Sequence, residues 1–188
     1  MKKKIKKFIF FMLFVFIFTS GCEPKKYYIR PNTEIKKFKK IAVLPFENFT
    51  SDEYAGEKLR NIVISELLLK GIEVIEPGEV TKVLEEAKIY SLSSIKITDL
   101  QEIGKKLGVE GLIMGAVECF SINRGISITY PEVTINLRLI DVSSGNIIWS
   151  IRHTKGGANF WTRHFGTEGI TLSECAKKAV KEAIDTLF

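Results

Sequence analysis

The sequence predicts α/β architecture: a single layered domain with a mixed sheet packed against helices, in the order β-α-β-α-α-β-β-β-α. Three observations predict it. Ile41-Ala42-Val43-Leu44 is a short continuous apolar run stopped by Pro45, the pattern of a strand buried on both faces. Val133, Ile135, Leu137 and Leu139 alternate with Thr134, Asn136 and Arg138, the pattern of a strand with one wet face. Around these runs lie segments whose apolar residues recur at helical spacing, so helices are expected to cover the sheet.

The elements follow in chain order. After the first strand, residues 47–53 make a polar loop, with Thr50, Ser51 and Asp52 as candidate helix caps. Over residues 54–70, Ala55, Leu59, Ile62, Val63 and Leu67 share a helical face, and Gly71 follows the end. Ile72-Glu73-Val74-Ile75 is the second strand. Pro77-Gly78 then opens a helix with Val80, Val83, Leu84 and Ala87 on its inner face. Residues 90–96 are serine-rich and irregular. Thr98 is expected to cap a third helix, with Gln101 three places on as in a capping box. Gly104 weakens that helix and Gly108 ends it. Residues 112–122 form a long strand, apolar on both faces at its start, and Asn123-Arg124-Gly125 is a turn signal. Ser143-Ser144-Gly145-Asn146 turns the alternating strand into Ile147-Ile148-Trp149-Ser150-Ile151, the most secure hairpin of the chain. The last helix starts at Thr171 with Glu174 completing a capping box, and its inner face is Leu172, Cys175, Ala179, Val180, Ala183, Ile184 and Leu187.

The first residues have a different character. Lys2, Lys3, Lys4, Lys6 and Lys7 precede an apolar run over residues 8–18, which Thr19-Ser20-Gly21-Cys22 follows. Such an arrangement is an export signal, too short for a spanning helix of about 20 residues. Ser-Gly-Cys resembles the lipobox of bacterial lipoproteins, which implies cleavage between Gly21 and Cys22 and a lipidated Cys22. Thr19 departs from the motif, where leucine is usual. An ordinary secreted protein with an incidental Cys22 is the bland alternative. The expected organisation is a signal over residues 1–21, a lipidated N-terminus and flexible tether over 22–39, and the α/β domain over 40–188. The tether mixes Pro24, Pro31 and Asn32 with basic residues and shows no sustained apolar period.

Removing the signal changes the charge argument. Five of the 28 basic residues leave with it and no acidic residue does, so 23 remain against 22 and the formal +6 falls to about +1. Nothing is left to argue for nucleic acid as a partner. Cys119 and Cys175 admit two readings: a disulfide, in a compartment where one persists, or two small buried side chains.

Catalytic motifs are missing from the sequence. It has no G-x-x-x-x-G-K-[ST] loop, no G-x-S-x-G elbow and no H-E-x-x-H pair. The two histidines, His153 and His164, have no metal-ligand spacing. No enzyme, metal or cofactor is expected. Two loops stand out as contact surfaces. One is Glu47-Asn48-Phe49-Thr50-Ser51-Asp52, after the first strand, with Asn48 and Phe49 as candidates. The other, residues 156–170, holds Phe160, Trp161, Arg163 and Phe165 among glycines, an interface-like composition. Aromatics folded back over the sheet edge explain that loop equally well.

Several segments together resemble the CsgG-like bacterial lipoproteins. They are Lys40-Ile41-Ala42-Val43-Leu44-Pro45-Phe46, Leu68-Leu69-Lys70-Gly71, Val74-Ile75-Glu76, the helix end Val83-Leu84-Glu85-Glu86-Ala87, and residues 104–117. The fullest is residues 135–149, Ile-Asn-Leu-Arg-Leu-Ile-Asp-Val-Ser-Ser-Gly-Asn-Ile-Ile-Trp. The resemblance extends to the amino-terminal domain of TolB-type proteins and to LpoB-type lipoproteins.

The resemblance implies a non-enzymatic, periplasm-facing accessory in envelope assembly or export that acts through protein contacts. Its only non-protein group is the covalent diacylglycerol and N-acyl lipid on Cys22. The implied partners are the membrane, envelope proteins and further copies of the chain. Glu23 after Cys22 implies the outer membrane of a Gram-negative host. In the curli member a ring of subunits builds a barrel from two inserted hairpins each. Here the connection between Phe120 and Val133 is short, and residues 156–170 cannot supply two strands of about 9–11 residues. A pore is therefore not expected. An LpoB-like activator of a penicillin-binding protein is the first alternative, and an oligomeric secretion-channel component the second.

Overall fold

A computed structural model describes residues 27–124, 129–156 and 170–188. Among them are seven strands: β1 (Tyr27–Ile29), β2 (Lys40–Val43), β3 (Glu47–Asn48), β4 (Glu73–Val74), β5 (Gly111–Arg124), β6 (Thr129–Asp141) and β7 (Ile147–Gly156). The helices are α1 (Ala55–Leu69), α2 (Pro77–Glu86), α3 (Ile97–Leu107) and α4 (Leu172–Ile184). All strands join one mixed sheet in the order β1-β7-β6-β5-β2-β4, with β3 beside β5. β2 runs parallel to β4 and β5, whereas β5, β6 and β7 form an antiparallel meander that β1 closes at the far edge.

Two apolar layers sandwich the β2–β5 half of this sheet. Ile41, Val43, Ile113 and Val117 face α1 and α4, while Ala42, Leu44, Leu112 and Met114 face α2 and α3. Successive residues of β2 therefore enter opposite cores, which is why the strand is apolar without alternation. Each fully buried Ile, Val or Leu contributes roughly 1.5–3 kcal/mol. In β6, Val133, Ile135, Leu137 and Leu139 join the α1–α4 layer and the intervening side chains face away from it. Of the expected wet face, Arg138 is exposed and Asn136 half-buried, but Thr134 is buried, its hydroxyl paired with that of Thr154 on β7 at 3.0 Å.

The sheet begins earlier than the sequence predicts. Residues 22–39 were expected to be a flexible tether, yet Tyr27, Tyr28 and Ile29 pair with Ile151, Ser150 and Trp149. A 3₁₀ turn at Ile35–Lys37 follows, and Phe38 is completely buried in the α1–α4 core. Three residues are too few for a periodicity to show, and the surrounding lysines hide Phe38 and the half-buried Ile35 that packs beside it on the core. Residues 47–53 likewise contain more than a loop, because β3 pairs there with Ala116 and Val117.

Helix caps divide into one hit and two corrections. Thr171 and Glu174 form the expected capping box. Thr98 does not cap α3; the cap position is Lys96, and the Gln101 amide instead donates to the carbonyls of Val142 and Ser143 at 3.1 and 3.0 Å. The α1 cap position is Tyr54, with Asp52 Oδ1 accepting from its backbone N–H at 3.0 Å.

The disulfide reading of Cys119 and Cys175 does not hold: both are free. A bulge after Val117 turns Phe120 into the α1–α4 core, so the neighbouring Cys119 faces the opposite side of the sheet. Cys175 lies fully buried on α4, its thiol donating to the Lys155 carbonyl at 3.2 Å.

Candidate contact and anchoring sites

Most residues singled out from the sequence lie outside the described residues. Gly21 and Cys22 do, as do Phe160, Trp161, Arg163, Phe165 and His164. Asn48 and Phe49 are described, and the structure separates their roles.

Asn48 is consumed in building its own loop. Its Nδ2 donates to the carbonyls of Asp52 at 2.7 Å and Glu53 at 3.3 Å, while its Oδ1 accepts from the Thr50 backbone N–H at 3.0 Å and hydroxyl at 2.8 Å. An amide with its donors and acceptor engaged locally has little left for a partner. Phe49 is the reverse case. Its N–H donates to the Val117 carbonyl at 2.9 Å, which pins the backbone, and its ring is 68% exposed. Tyr54, at 59%, is the other large exposed side chain of this loop. Asp52 anchors the far side: a hydrogen bond from Lys58 Nζ at 2.7 Å holds its carboxyl below the usual carboxylate range.

Beneath the loop sits a residue the sequence reading missed. Arg60 is a buried charge whose guanidinium satisfies the end of β2. Burial pulls its pKa down, and the carboxylates of Glu57 and Glu76 oppose that shift. A sequence signal existed: Gly56, Arg60, Val63 and Leu67 share the inner helical face, and all are buried. Gly56 is required there, because a Cβ would stand 2.9 Å from the Phe46 carbonyl oxygen.

His153, which has no metal-ligand spacing in the sequence, joins β7 to α4. Its Nε2 lies 2.8 Å from Glu182 Oε2, and Lys155 Nζ lies 2.5 Å from Oε1 of the same carboxylate. Burial raises the Glu182 pKa, but the hydrogen bonds from Lys155 and His153 outweigh it and leave the carboxyl below its ordinary range.

A mixed sheet with two helices on each side of its parallel half, and a long antiparallel meander, is the fold class that the resemblance implied. Residues 27–187 match the family described as the curli production assembly/transport component CsgG. The chain belongs to the CsgG family. Among solved structures it is similar to the PelC dodecamer of Paraburkholderia phytofirmans, with TM-score 0.60 and 22% identity over 86% of this chain and 94% of that one. Lipoprotein GNA1162 of Neisseria meningitidis is similar with TM-score 0.57 and 15% identity, over 78% and 98% of the two chains. The LpoB C-terminal domain of Salmonella enterica gives TM-score 0.44 and 13% identity, over 62% and 81%. No curated protein matches the sequence.

Proposed function

We propose that this protein is a lipid-anchored, non-enzymatic accessory of the cell envelope, held at the periplasmic face of the outer membrane through Cys22. It works in assembly or export through protein contacts, including contacts with further copies of itself. The observation that carries this reading is the position of β1. Residues 23–26 alone separate the lipobox cysteine from a strand paired into the sheet edge. Five residue steps span at most about 18 Å, so an anchored Cys22 keeps the domain beside the bilayer. That geometry suits a membrane-seated assembly better than an activator reaching across the cell wall, which needs a long flexible tether. Family membership and the dodecameric state of the similar PelC structure support assembly as the mode of action.

Fractionation of cells carrying a Cys22→Ser variant, with metabolic lipid labelling, tests the anchor. The variant is expected to leave the membrane fraction and lose the label. Unchanged membrane association, together with an unlabelled wild type, sinks the reading.

A further inference from the structure

Between β1 and β2 the chain crosses one end of the sheet, and a cavity lies beside the crossing. Arg30 is tied to β7 by its backbone N–H, which donates to the Ile148 carbonyl at 2.8 Å. The 3₁₀ turn is tied to β6, where Lys37 Nζ meets Asp141 Oδ2 at 3.1 Å. Residues 31–34 bridge these two attachments, and Asn32 adopts the left-handed backbone there, with φ 59°. The cavity holds about 310 Å³, with Ser144 and Ile148 lining it from the β6–β7 hairpin. Arg30, Asn32, Thr33 and Glu34 line it from the crossing. Ligand pockets span about 300–1,000 Å³, so this one has room for a small solute.

The charges of this cavity divide into a committed pair and an uncommitted one. Lys37 and Asp141 neutralise each other, and the hydroxyls of Ser143 and Ser144 also donate to Asp141, which completes that wall. Lys36 is exposed and does not line the cavity. Arg30 and Glu34 do line it, and both are exposed. They form no ion pair with each other or with any other group among the described residues. The Asn32 amide and the Thr33 hydroxyl likewise make no hydrogen bond among the described residues. One free cation and one free anion around a single cavity suit a ligand that carries both charges. The guanidinium fork of Arg30 matches a carboxylate through two parallel hydrogen bonds, and Glu34 can accept from an ammonium. Asn32 and Thr33 add neutral donors and acceptors. A simple anion would meet the like charge of Glu34 and a simple cation that of Arg30, which selects against both.

We propose that this cavity binds a zwitterion with free amino and carboxylate groups, an amino acid or a short peptide. Arg30 holds the carboxylate and Glu34 the ammonium, and the volume limits a peptide to a few residues. The inference goes beyond the anchoring reading, because it gives the domain a small-molecule ligand in addition to its protein contacts. The side chains of Arg30 and Glu34 make no hydrogen bonds among the described residues, so replacing them spares the fold.

The experiment titrates the full chain, purified from membranes in detergent, with alanine and with dialanine, followed by calorimetry and amide NMR shifts. Binding of either supports the proposal, and the tighter of the two tells an amino acid from a peptide. N-acetyl-dialanine lacks the ammonium and dialanine amide lacks the carboxylate, so each is expected to bind about tenfold more weakly than dialanine, or worse. Arg30→Gln is expected to abolish the preference for the free carboxylate and keep that for the free amine. Glu34→Gln is expected to do the reverse, a split that general loss of structure would not produce. No binding of alanine or dialanine at millimolar concentration overturns the proposal. Equal binding of free and blocked dialanine, or unaltered preferences in either variant, does the same. Glycerophosphoethanolamine is the lipid-headgroup control, and its binding more tightly than both alanine and dialanine overturns the amino-carboxylate ligand. Should Arg30→Gln fail to fold, Arg30→Lys replaces it. That variant keeps the charge but loses the fork, so dialanine is expected to bind more weakly, and unchanged binding overturns the proposal.

Discussion

Arg60 donates two hydrogen bonds to the carbonyl oxygen of Val43, from Nε at 3.0 Å and from Nη2 at 2.8 Å. β4 pairs with β2 only at Lys40 and Ile41, so the Val43 carbonyl has no strand partner on that side. A helix side chain therefore finishes the work of a missing strand, and the buried charge is tolerated because it meets an otherwise orphaned acceptor. Arg60→Met keeps the apolar bulk and leaves that acceptor unpaired, so it is expected to lower stability by about 1–3 kcal/mol. The urea unfolding midpoint measures this; an unchanged midpoint means that water or a relaxed backbone takes over the bond.

Gly104 predicts a second, opposite-looking effect. Alanine is the better helix former by about 1 kcal/mol. Here a Cβ would stand 2.3 Å from Val142 Cγ2 and 2.7 Å from Cγ1, in the layer where α3 packs on the sheet. Gly104→Ala is thus expected to destabilise by about 1–3 kcal/mol, with overpacking outweighing propensity. Adding Val142→Ala should recover part of the loss, and a double-mutant cycle by urea unfolding reads the coupling.

These two residues show what the sequence could and could not disclose. The dry face of β6, the α4 capping box and the turn at Gly145 follow from local chemistry, and all are legible in the chain. Gly104 was legible only as a weak point of its helix, because the reason for it lies 38 positions away at Val142. β1 and β3 were not legible, since strands of three and two residues exist only through their partners β7 and β5. At the candidate contact loop, residue type suggested both Asn48 and Phe49. Only the hydrogen bonds show that Asn48 is spent inside the loop while Phe49 faces outward.

Asp141 gives the pH prediction. Its side chain is 9% exposed and accepts from the hydroxyls of Ser143 and Ser144 and from Lys37 Nζ at 3.1 Å. Burial raises its pKa, but the bonds from Ser144, Lys37 and Ser143 prevail and the carboxyl titrates below its ordinary value. A carboxylate with a folded pKa below its unfolded one, about 3.9, contributes stability that is complete above that value. The contribution disappears as pH falls through the lower, folded pKa. Asp141→Asn should therefore show a shallower loss of stability below about pH 4 than the wild type, in urea melts taken across pH. Parallel curves for the two proteins would mean that Asp141 is not coupled to folding.

Phe38 decides whether the segment before β2 is tether or domain. It is fully buried, its ring packs against Gly111 at the start of β5, and a Cβ on that glycine would lie 3.0 Å from Phe38 Cδ1. The lysines around it are exposed or half-exposed, so Phe38 alone carries the apolar attachment between the 3₁₀ turn and β2. Phe38→Ala opens a cavity at the sheet and is expected to cost about 3–5 kcal/mol. A residue in a free tether would show no change in the unfolding midpoint on the same substitution.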